Sequence, residues 1–299
     1  MNMYESPHPL RDYLATSLTC GCGRTHYASL QDVCIGPSAL EELPRVLRDL
    51  NRKRPYLVCD GVTRRIAGDR CLQILESAGI RGTLRQLTHT GFDEATLGEL
   101  VIHMPADCDI AVAVGTGATN DMTRYFSFRM GIPFLTVATA APMDGFASSI
   151  AALQVDNLKT TLDAQTPLAI IGDTEILKGA PYPMIAAGLG DLLGKATCLC
   201  DWKLAHLITG EHICPHIVEL MEHCVQEILE IAPRAKDRDP AVLGRIMEGL
   251  VLSGVAMSLY GNSRPASGCE HHMSHYWETI FGQQGRRPVP HGTQVGVGT

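Results

Sequence analysis

The sequence has 299 residues, 45% of them hydrophobic, and a formal net charge of -7. This length suits one large domain or two ordinary ones with a real apolar core, and the negative charge argues against a surface for nucleic acid or anionic membrane. No apolar run approaches the roughly 20 residues that cross a bilayer, and residues 1–12 lack a signal-peptide core. We therefore expect a cytoplasmic protein that binds no nucleic acid and has no membrane span.

The 11 cysteines are odd in number and scattered, as is typical of reduced thiols used as small apolar residues. One group differs, because Cys20 and Cys22 are two residues apart and His26 follows closely. A zinc site would need two more ligands at compatible spacing, and Cys34 is the only near candidate. We therefore interpret this segment as a glycine-rich turn rather than a structural metal site.

The first half alternates short apolar runs with amphipathic stretches. Residues 56–59 form a strand candidate, followed by an Asp-Gly turn and a helical pattern over 66–75 that ends near Gly79. Residues 109–114 are nearly all apolar, as expected of a strand buried on both faces of a parallel sheet. A helix to about Met130 and a strand over 133–138 come next. This rhythm predicts an open, doubly wound α/β sheet.

From Tyr182 onward, apolar residues recur at helical spacing over 189–207, 217–231 and 242–259. The chain therefore reads as two domains. An α/β dinucleotide-binding domain spans residues 1–180, and an all-α domain for metal and substrate spans 181–299. Ligands of open α/β folds lie beyond the carboxyl ends of the strands, so the cleft between the domains is the expected active site.

A glycine-rich turn follows the buried strand at 109–114 and opens a helix. Glycines let the backbone approach a diphosphate, and the helix N-terminus supplies free N–H groups. The third glycine of the usual dinucleotide fingerprint is absent, since Arg124 and Tyr125 follow instead, and this disfavours an ordinary Rossmann dehydrogenase. Asp60, after an earlier strand, either binds an adenosine ribose or forms a simple Asp-Gly turn. The candidate cofactor residues of the turn and of the next strand's end are Gly115, Thr116, Gly117, Ala118, Thr119, Thr139, Ala140, Ala141 and Pro142.

Aspartate and histidine are concentrated in three later segments, around Asp191, His271 and His291. On a helix, His271 and His275 would share a face because they are four residues apart. A carboxylate and two imidazoles suit a divalent transition metal and leave positions open for substrate oxygens. The spacing alone leaves the alternative open: Asp191 would be a helix cap, and the histidines would be surface or loop residues.

The order of these segments resembles the sn-glycerol-1-phosphate dehydrogenases, in the superfamily of iron-type alcohol dehydrogenases, glycerol dehydrogenase and dehydroquinate synthase. The Met-Asp-Gly segment at 143–145 and the Arg-Pro-Ala-Ser-Gly-x-Glu-His segment from 264 are specific to this branch. The other matching segments are 115–121, 139–149, 190–195, 201–203 and 291–292.

The resemblance implies a role for each matching residue. Asp191, His271 and His291 would bind one divalent metal, which is zinc, nickel or iron. Asp144, Asp191 and His275 would contact the substrate, with Asp191 and His275 catalytic. The turn at 115–119, the stretch at 139–142, Asp60 and Ser148 would hold NAD or NADP. A homodimer is also implied.

The expected reaction interconverts dihydroxyacetone phosphate and sn-glycerol 1-phosphate, a step of phospholipid synthesis, by hydride transfer at C2. Arg264 is a candidate for the substrate phosphate, with a helix-end salt bridge as the equal alternative, and Lys195 either pairs with Asp191, reaches the phosphate or is solvated. Relatives continue for several helices after His291, so we expect the chain to lack C-terminal helices. The alternatives are a dehydroquinate-synthase-like or glycerol-dehydrogenase-like enzyme, or an inactive truncated paralogue with a binding role.

Overall fold

The computed structural model describes residues 10–89, 91–156, 158–286 and 289–299. Ten strands lie in this part of the chain, three of them in the first 36 residues. In chain order they are β1 (Ser17–Thr19), β2 (Thr25–Tyr27), β3 (Asp32–Gly36), β4 (Pro55–Cys59), β5 (Thr83–Gln86), β6 (Ile110–Gly115), β7 (Phe134–Ala138), β8 (Ile150–Val155), β9 (Leu158–Asp163) and β10 (Ala169–Asp173).

Eleven α-helices lie in the same part of the chain, the long ones after residue 180. They are α1 (Leu43–Asp49), α2 (Gly61–Thr63), α3 (Asp69–Ser77), α4 (Glu94–His103), α5 (Gly117–Met130), α6 (Thr174–Lys178), α7 (Tyr182–Thr209), α8 (Pro215–Ile231), α9 (Pro240–Tyr260), α10 (Cys269–Gln283) and α11 (His291–Gly298). A π-helical stretch, Arg64–Gly68, joins α2 to α3.

Six strands form one parallel sheet in the order β3-β10-β7-β6-β4-β5. Every residue of β4, β6, β7 and β10 is buried. Successive residues of β4 belong to different apolar clusters, Leu57 to one and Tyr56 and Val58 to the other. The side chains alternate between the faces of the sheet, so helices must cover both faces, which is why these strands are continuously apolar.

The predicted fold, a parallel α/β region followed by a helical region, is confirmed. The strands predicted at 56–59, 109–114 and 133–138 correspond to β4, β6 and β7. The predicted helix after the glycine-rich turn is α5, which ends before Gly131 in the left-handed region at φ 68°. Glycine adopts that conformation without the steric penalty of a Cβ atom.

The chain divides into two compact units. The sheet unit contains residues 30–140 and 146–180, and the helical unit contains the chain before Leu30, the segment Ala141–Gly145 and residues 181–299. Two segments therefore depart from the predicted division at residue 180. The hairpin of β1 and β2 belongs to the helical unit because His26 is hydrogen-bonded to Leu259 of α9. Asp144 belongs to the same unit because its backbone N–H donates to Asp191 of α7.

Helix α9 is 21 residues long and apolar enough, by length and composition, to cross a membrane. The expectation about continuous apolar runs does not concern this helix, because Arg245 and Glu248 interrupt its apolar residues. Within the protein 78% of its most apolar window is buried, as in the central helix of a folded core.

Candidate metal and nucleotide sites

The glycine-rich turn of the sheet unit lies between β6 and α5. A Cβ on Gly115 would lie 2.9 Å from Cβ of Thr119, and Gly117 has a φ of 47° with open space at its Cβ position. Both positions therefore require glycine, one for space and one for conformation. The hydroxyl of Thr116 is buried and has no hydrogen-bond partner among the described residues. A bare helix N-terminus with an unsatisfied hydroxyl beside it fits a diphosphate.

Other predicted cofactor residues gather at the same edge of the sheet. The backbone N–H of Thr139, after β7, donates to the carbonyl of Gly115 at 3.3 Å. Asp60 follows β4, and β4, β6 and β7 are neighbours in the sheet. Ala140 and Ser148 are in this unit as well, whereas Ala141 and Pro142 belong to the helical unit. The parallel strands thus place their carboxyl ends where nucleotides bind in open α/β sheets.

Asp60 and Arg124 also have structural roles. One carboxylate oxygen of Asp60 accepts from the N–H groups of Val62 and Thr63, as a capping box. Asn120 stands where the usual fingerprint has its third glycine, and its Oδ1 accepts from the Thr136 hydroxyl of β7 at 2.7 Å. Arg124, one helical turn further along α5, is fully buried and paired with Asp121, and it donates to the carbonyl of Phe146 at 3.0 Å. Asn120 therefore ties α5 to β7, and Arg124 ties it to the segment before Ser148.

The three predicted metal ligands converge in the helical unit. Their ligand atoms all lie within 4.8 Å of one another, although Asp191 is on α7, His271 on α10 and His291 at the start of α11. Nε2 of His271 is 3.7 Å from Oδ1 of Asp191. One carboxylate and two imidazoles within this distance suit a divalent transition metal with open positions. We call these three residues the Asp–His cluster.

Glu270 and Ser274 orient the two imidazoles of the Asp–His cluster. Oε1 of the fully buried Glu270 is 2.7 Å from Nδ1 of His271, and Ser274 Oγ is 3.2 Å from Nδ1 of His291. Burial raises the pKa of Glu270, but hydrogen bonds from His271 and the Gly268 N–H lower it below its ordinary value. A carboxylate accepting from Nδ1 leaves the lone pair of His271 on Nε2, the nitrogen that faces Asp191.

Lys195 is fully buried beside the Asp–His cluster. Its Nζ is 2.8 Å from Oδ1 of Asp191, 2.8 Å from Oδ2 of Asp144 and 3.0 Å from the carbonyl of Ala266. Burial alone would raise the pKa of Asp144, but Lys195 and His271 lower it to about 2, and the Asp144 and Asp191 carboxylates raise the pKa of Lys195 against its own burial. Of the three interpretations, the pairing with Asp191 is the observed one.

His275 and Arg264 differ in their relation to the cluster. His275 stacks on His291 with ring centroids 5.5 Å apart, and its side chain is 60% exposed. Arg264 makes two hydrogen bonds to Glu211, at 2.7 and 2.6 Å. The structure therefore shows the salt bridge of the alternative interpretation, and the role of Arg264 as a phosphate ligand stays a prediction.

Glycines fix the backbone around the ligands. A Cβ on Gly190 would lie 2.4 Å from the carbonyl oxygen of Gly292, and one on Gly292 would lie 2.1 Å from that of Ala187. Helix α11 therefore contacts α7 backbone to backbone, immediately beside Asp191 and His291. No residue with a side chain fits this contact without moving one of the helices.

Sequence reasoning missed Glu270 as part of this site and left three interpretations open for Lys195. Lys195 had a signal, its four-residue spacing from Asp191, but nothing in the sequence marked it as buried. Glu270 is adjacent to His271, and adjacent helical residues ordinarily point in different directions. Its bond to Nδ1 of the next residue depends on a bend at the start of α10 that spacing does not reveal.

The chain matches one family model and is similar in sequence to named relatives. The model of the iron-containing alcohol dehydrogenases matches residues 34–181. Glycerol-1-phosphate dehydrogenase [NAD(P)+] of Halalkalibacterium halodurans is 35% identical over 98% of this chain and 75% of its own length. The enzyme of that name from Geobacillus stearothermophilus is 38% identical over 97% of this chain and 73% of its own length.

A solved structure has the same fold at lower identity. Glycerol dehydrogenase from Schizosaccharomyces pombe superposes with a TM-score of 0.73 and 19% identity, over 90% of this chain and 69% of that one.

Proposed function

This chain belongs to the family of NAD(P)-dependent glycerol-1-phosphate dehydrogenases, within the iron-containing alcohol dehydrogenases, and from that premise we propose which residues perform its reaction. It is a metal-dependent oxidoreductase that interconverts dihydroxyacetone phosphate and sn-glycerol 1-phosphate. The observation that carries the proposal is the convergence of Asp191, His271 and His291 from three helices.

The Asp–His cluster would hold the metal, and its surroundings fit that role. When bound, the metal supplies a Lewis acid at the C2 oxygen and the dinucleotide supplies or takes the hydride. Asp191 and His271 bring the donor atoms, and Glu270 keeps His271 in the ligating tautomer. Lys195 neutralises the carboxylates of Asp144 and Asp191, so that burial of two like charges is tolerated.

His275 would exchange the proton of the substrate hydroxyl with solvent. Its ring stacks on the ligand His291 while most of its side chain is exposed, and Nδ1 is 3.3 Å from Oε2 of Glu278. An imidazole nitrogen can both accept and return a proton, which suits this role. Asp144 and Asp191 are the further proposed substrate contacts.

The sheet unit would hold the dinucleotide. The diphosphate would bind at the turn 115–119 and at residues 139–142, and Ser148 would be a further contact. Asp60 uses one carboxylate oxygen in its own helix cap, and the other is available to a ribose hydroxyl. A carboxylate at this position disfavours binding of a ribose 2′-phosphate, whereas the exposed Arg64 and Arg65 favour it. We therefore propose that the site takes NAD or NADP.

We also propose a cytoplasmic location and a homodimer. All 11 cysteines lie free in the structure, which is typical of a reducing compartment.

The direct test follows oxidation of NADH and of NADPH with dihydroxyacetone phosphate on metal-loaded protein. His271→Ala should abolish it, while His272→Ala, on the exposed neighbour, should not. The product should be inert to an enzyme specific for sn-glycerol 3-phosphate.

Two results would contradict the proposal. One is a folded, metal-loaded sample without turnover, which would favour a binding role. The other is consumption of substrate without net oxidation of NADH, which would favour a lyase.

A further inference from the structure

A second group of metal-ligating side chains lies in the helical unit. Sγ of Cys20, Cys22 and Cys214 and a ring nitrogen of His26 all lie within 4.8 Å of one another. We call these four residues the Cys–His cluster. Cys214 is 188 residues from His26 in sequence, and Cys34, the ligand considered from spacing, is not a member.

The distances match tetrahedral zinc. Sγ of Cys20 is 3.6 Å from Sγ of Cys214, and Nε2 of His26 is 3.3 Å from Sγ of Cys22 and 3.3 Å from Sγ of Cys214. Tetrahedral bonds of about 2.3 Å to sulfur and 2.0 Å to nitrogen separate two sulfurs by roughly 3.8 Å, and sulfur from nitrogen by roughly 3.5 Å. The side chains would need to move by only a few tenths of an ångström.

The imidazole of His26 is held in the ligating tautomer. Its Nδ1 is 2.8 Å from the carbonyl oxygen of Leu259, which only accepts, so Nδ1 carries the hydrogen and Nε2 carries the lone pair. That lone pair faces two thiols, and only one thiol hydrogen can bond to it. His26 is 1% exposed and Cys214 is fully buried. A histidine fixed by a backbone carbonyl is the usual support of a zinc ligand.

Backbone N–H groups are placed to stabilise thiolates in the cluster. The backbone N–H of Cys22 donates to the sulfur of Cys20. The N–H of Ile217, in the first turn of α8, donates to the sulfur of Cys214. A sulfur that accepts a backbone N–H is stabilised as the thiolate, which is the form that binds metal.

The surrounding structure needs such a link. Strands β1 and β2 have three residues each, most of them exposed or half-buried, and a hairpin of that size is not stable by itself. Nε2 of His212 donates to the carbonyl of Cys22 at 3.1 Å and so adds one bond to the same turn. We propose that Cys20, Cys22, His26 and Cys214 bind a structural zinc ion that fastens the hairpin to the start of α8.

The first experiment separates this site from the Asp–His cluster. A full-length His271→Ala/His291→Ala variant should still retain about one zinc per chain after gel filtration, by elemental analysis. Adding Cys20→Ser and Cys214→Ser should remove that zinc. Cys200→Ser, at an exposed cysteine outside the cluster, is the matched control and should keep it.

The second experiment needs no substitution in the cluster, so a failure of the serine variants to fold leaves the test intact. Cobalt-loaded wild-type chain should show a near-ultraviolet thiolate-to-cobalt charge-transfer band that survives His271→Ala. X-ray absorption of the zinc form should show sulfur at about 2.3 Å.

Loss of all zinc from the double-histidine variant, absence of sulfur around the metal, or a Cys20–Cys214 disulfide in alkylated, unreduced protein would each overturn the proposal.

Discussion

The Asp–His cluster and the Cys–His cluster, both in the helical unit, differ in chemistry and in exposure. The Asp–His cluster combines one carboxylate with two imidazoles. It lies beside the exposed His275 of α10 and has the buried Lys195 as its neighbour. The Cys–His cluster has three thiols around a buried imidazole. Three protein ligands leave a position for substrate, whereas four close the coordination shell. From ligand number and donor type we therefore expect the Asp–His cluster to serve catalysis and the Cys–His cluster to serve stability.

The comparison predicts opposite consequences of losing a ligand in each cluster. His271→Ala should lower kcat/KM by about 10³-fold or more, since Lewis-acid stabilisation is worth several kcal/mol, and should lower the melting temperature only by what the lost bond to Glu270 contributes. Cys214→Ser should lower the melting temperature by more and leave kcat similar at low temperature. Steady-state kinetics and calorimetry on both variants check this, and parallel losses of stability would remove the distinction.

Lys195→Met tests whether the Asp–His cluster depends on its buried cation for folding. The variant would remove the fully buried ammonium group that neutralises the carboxylates of Asp144 and Asp191. The loss should cost about 3–5 kcal/mol of unfolding free energy. Lys203→Met, in the exposed pair with Glu222, should cost at most about 1 kcal/mol. Urea unfolding measures both, and equal costs would contradict the structural role of Lys195.

His275→Gln addresses the exposed side of the Asp–His cluster. If His275 exchanges the proton, kcat should fall about 10²-fold, and the metal content should be unchanged. A rise in KM with kcat unchanged would indicate that the residue only binds substrate.

Glu270→Gln isolates the orientation of His271. The amide keeps the volume and loses the charge, so metal affinity should fall about 10-fold, as measured by competition with a chromogenic chelator. An unchanged affinity would mean that Glu270 serves the start of α10 rather than the ligand.

Glu99 shows what a buried carboxylate contributes in the sheet unit, away from both clusters. The carboxylate of Glu99 accepts hydrogen bonds from the hydroxyl and the backbone N–H of Thr88 and pairs with Arg85. Burial raises its pKa, but these bonds outweigh burial and lower the pKa below the ordinary 4.5. Its contribution is therefore complete above that pH and is lost as pH falls through the lowered value. Glu99→Gln should cost about 1 kcal/mol near neutrality, and the gap from wild type should close below pH 4.5.

The sequence was informative where periodicity or continuous burial dictates structure. Strands β4, β6 and β7 and helices α7 to α9 follow directly from their apolar patterns. The hairpin of β8 and β9 was not predicted because its residues are mostly exposed or half-buried and mix polar with apolar side chains.

The site was predictable only in part. Asp191, His271 and His291 were predicted to be ligands through family resemblance, since spacing alone could not join three helices. Cys214 could not be connected with Cys20 and Cys22, because a contact across nearly two hundred residues depends on how α8 packs. The burial of Lys195 likewise depends on tertiary packing that its own neighbours in sequence do not reveal.

The backbone contact between α7 and α11 bears on how selectively the Asp–His cluster would choose its ion. Since Gly190 meets Gly292 without intervening side chains, Asp191 and His291 are positioned before any ligand arrives, and little conformational entropy would be lost on binding. A rigid pair of ligands cannot adjust to metal–ligand bonds that differ by a few tenths of an ångström. The main-chain contact would then determine which ion size fits. A substitution of Gly190 or Gly292 would change the metal preference although the three ligands stay the same.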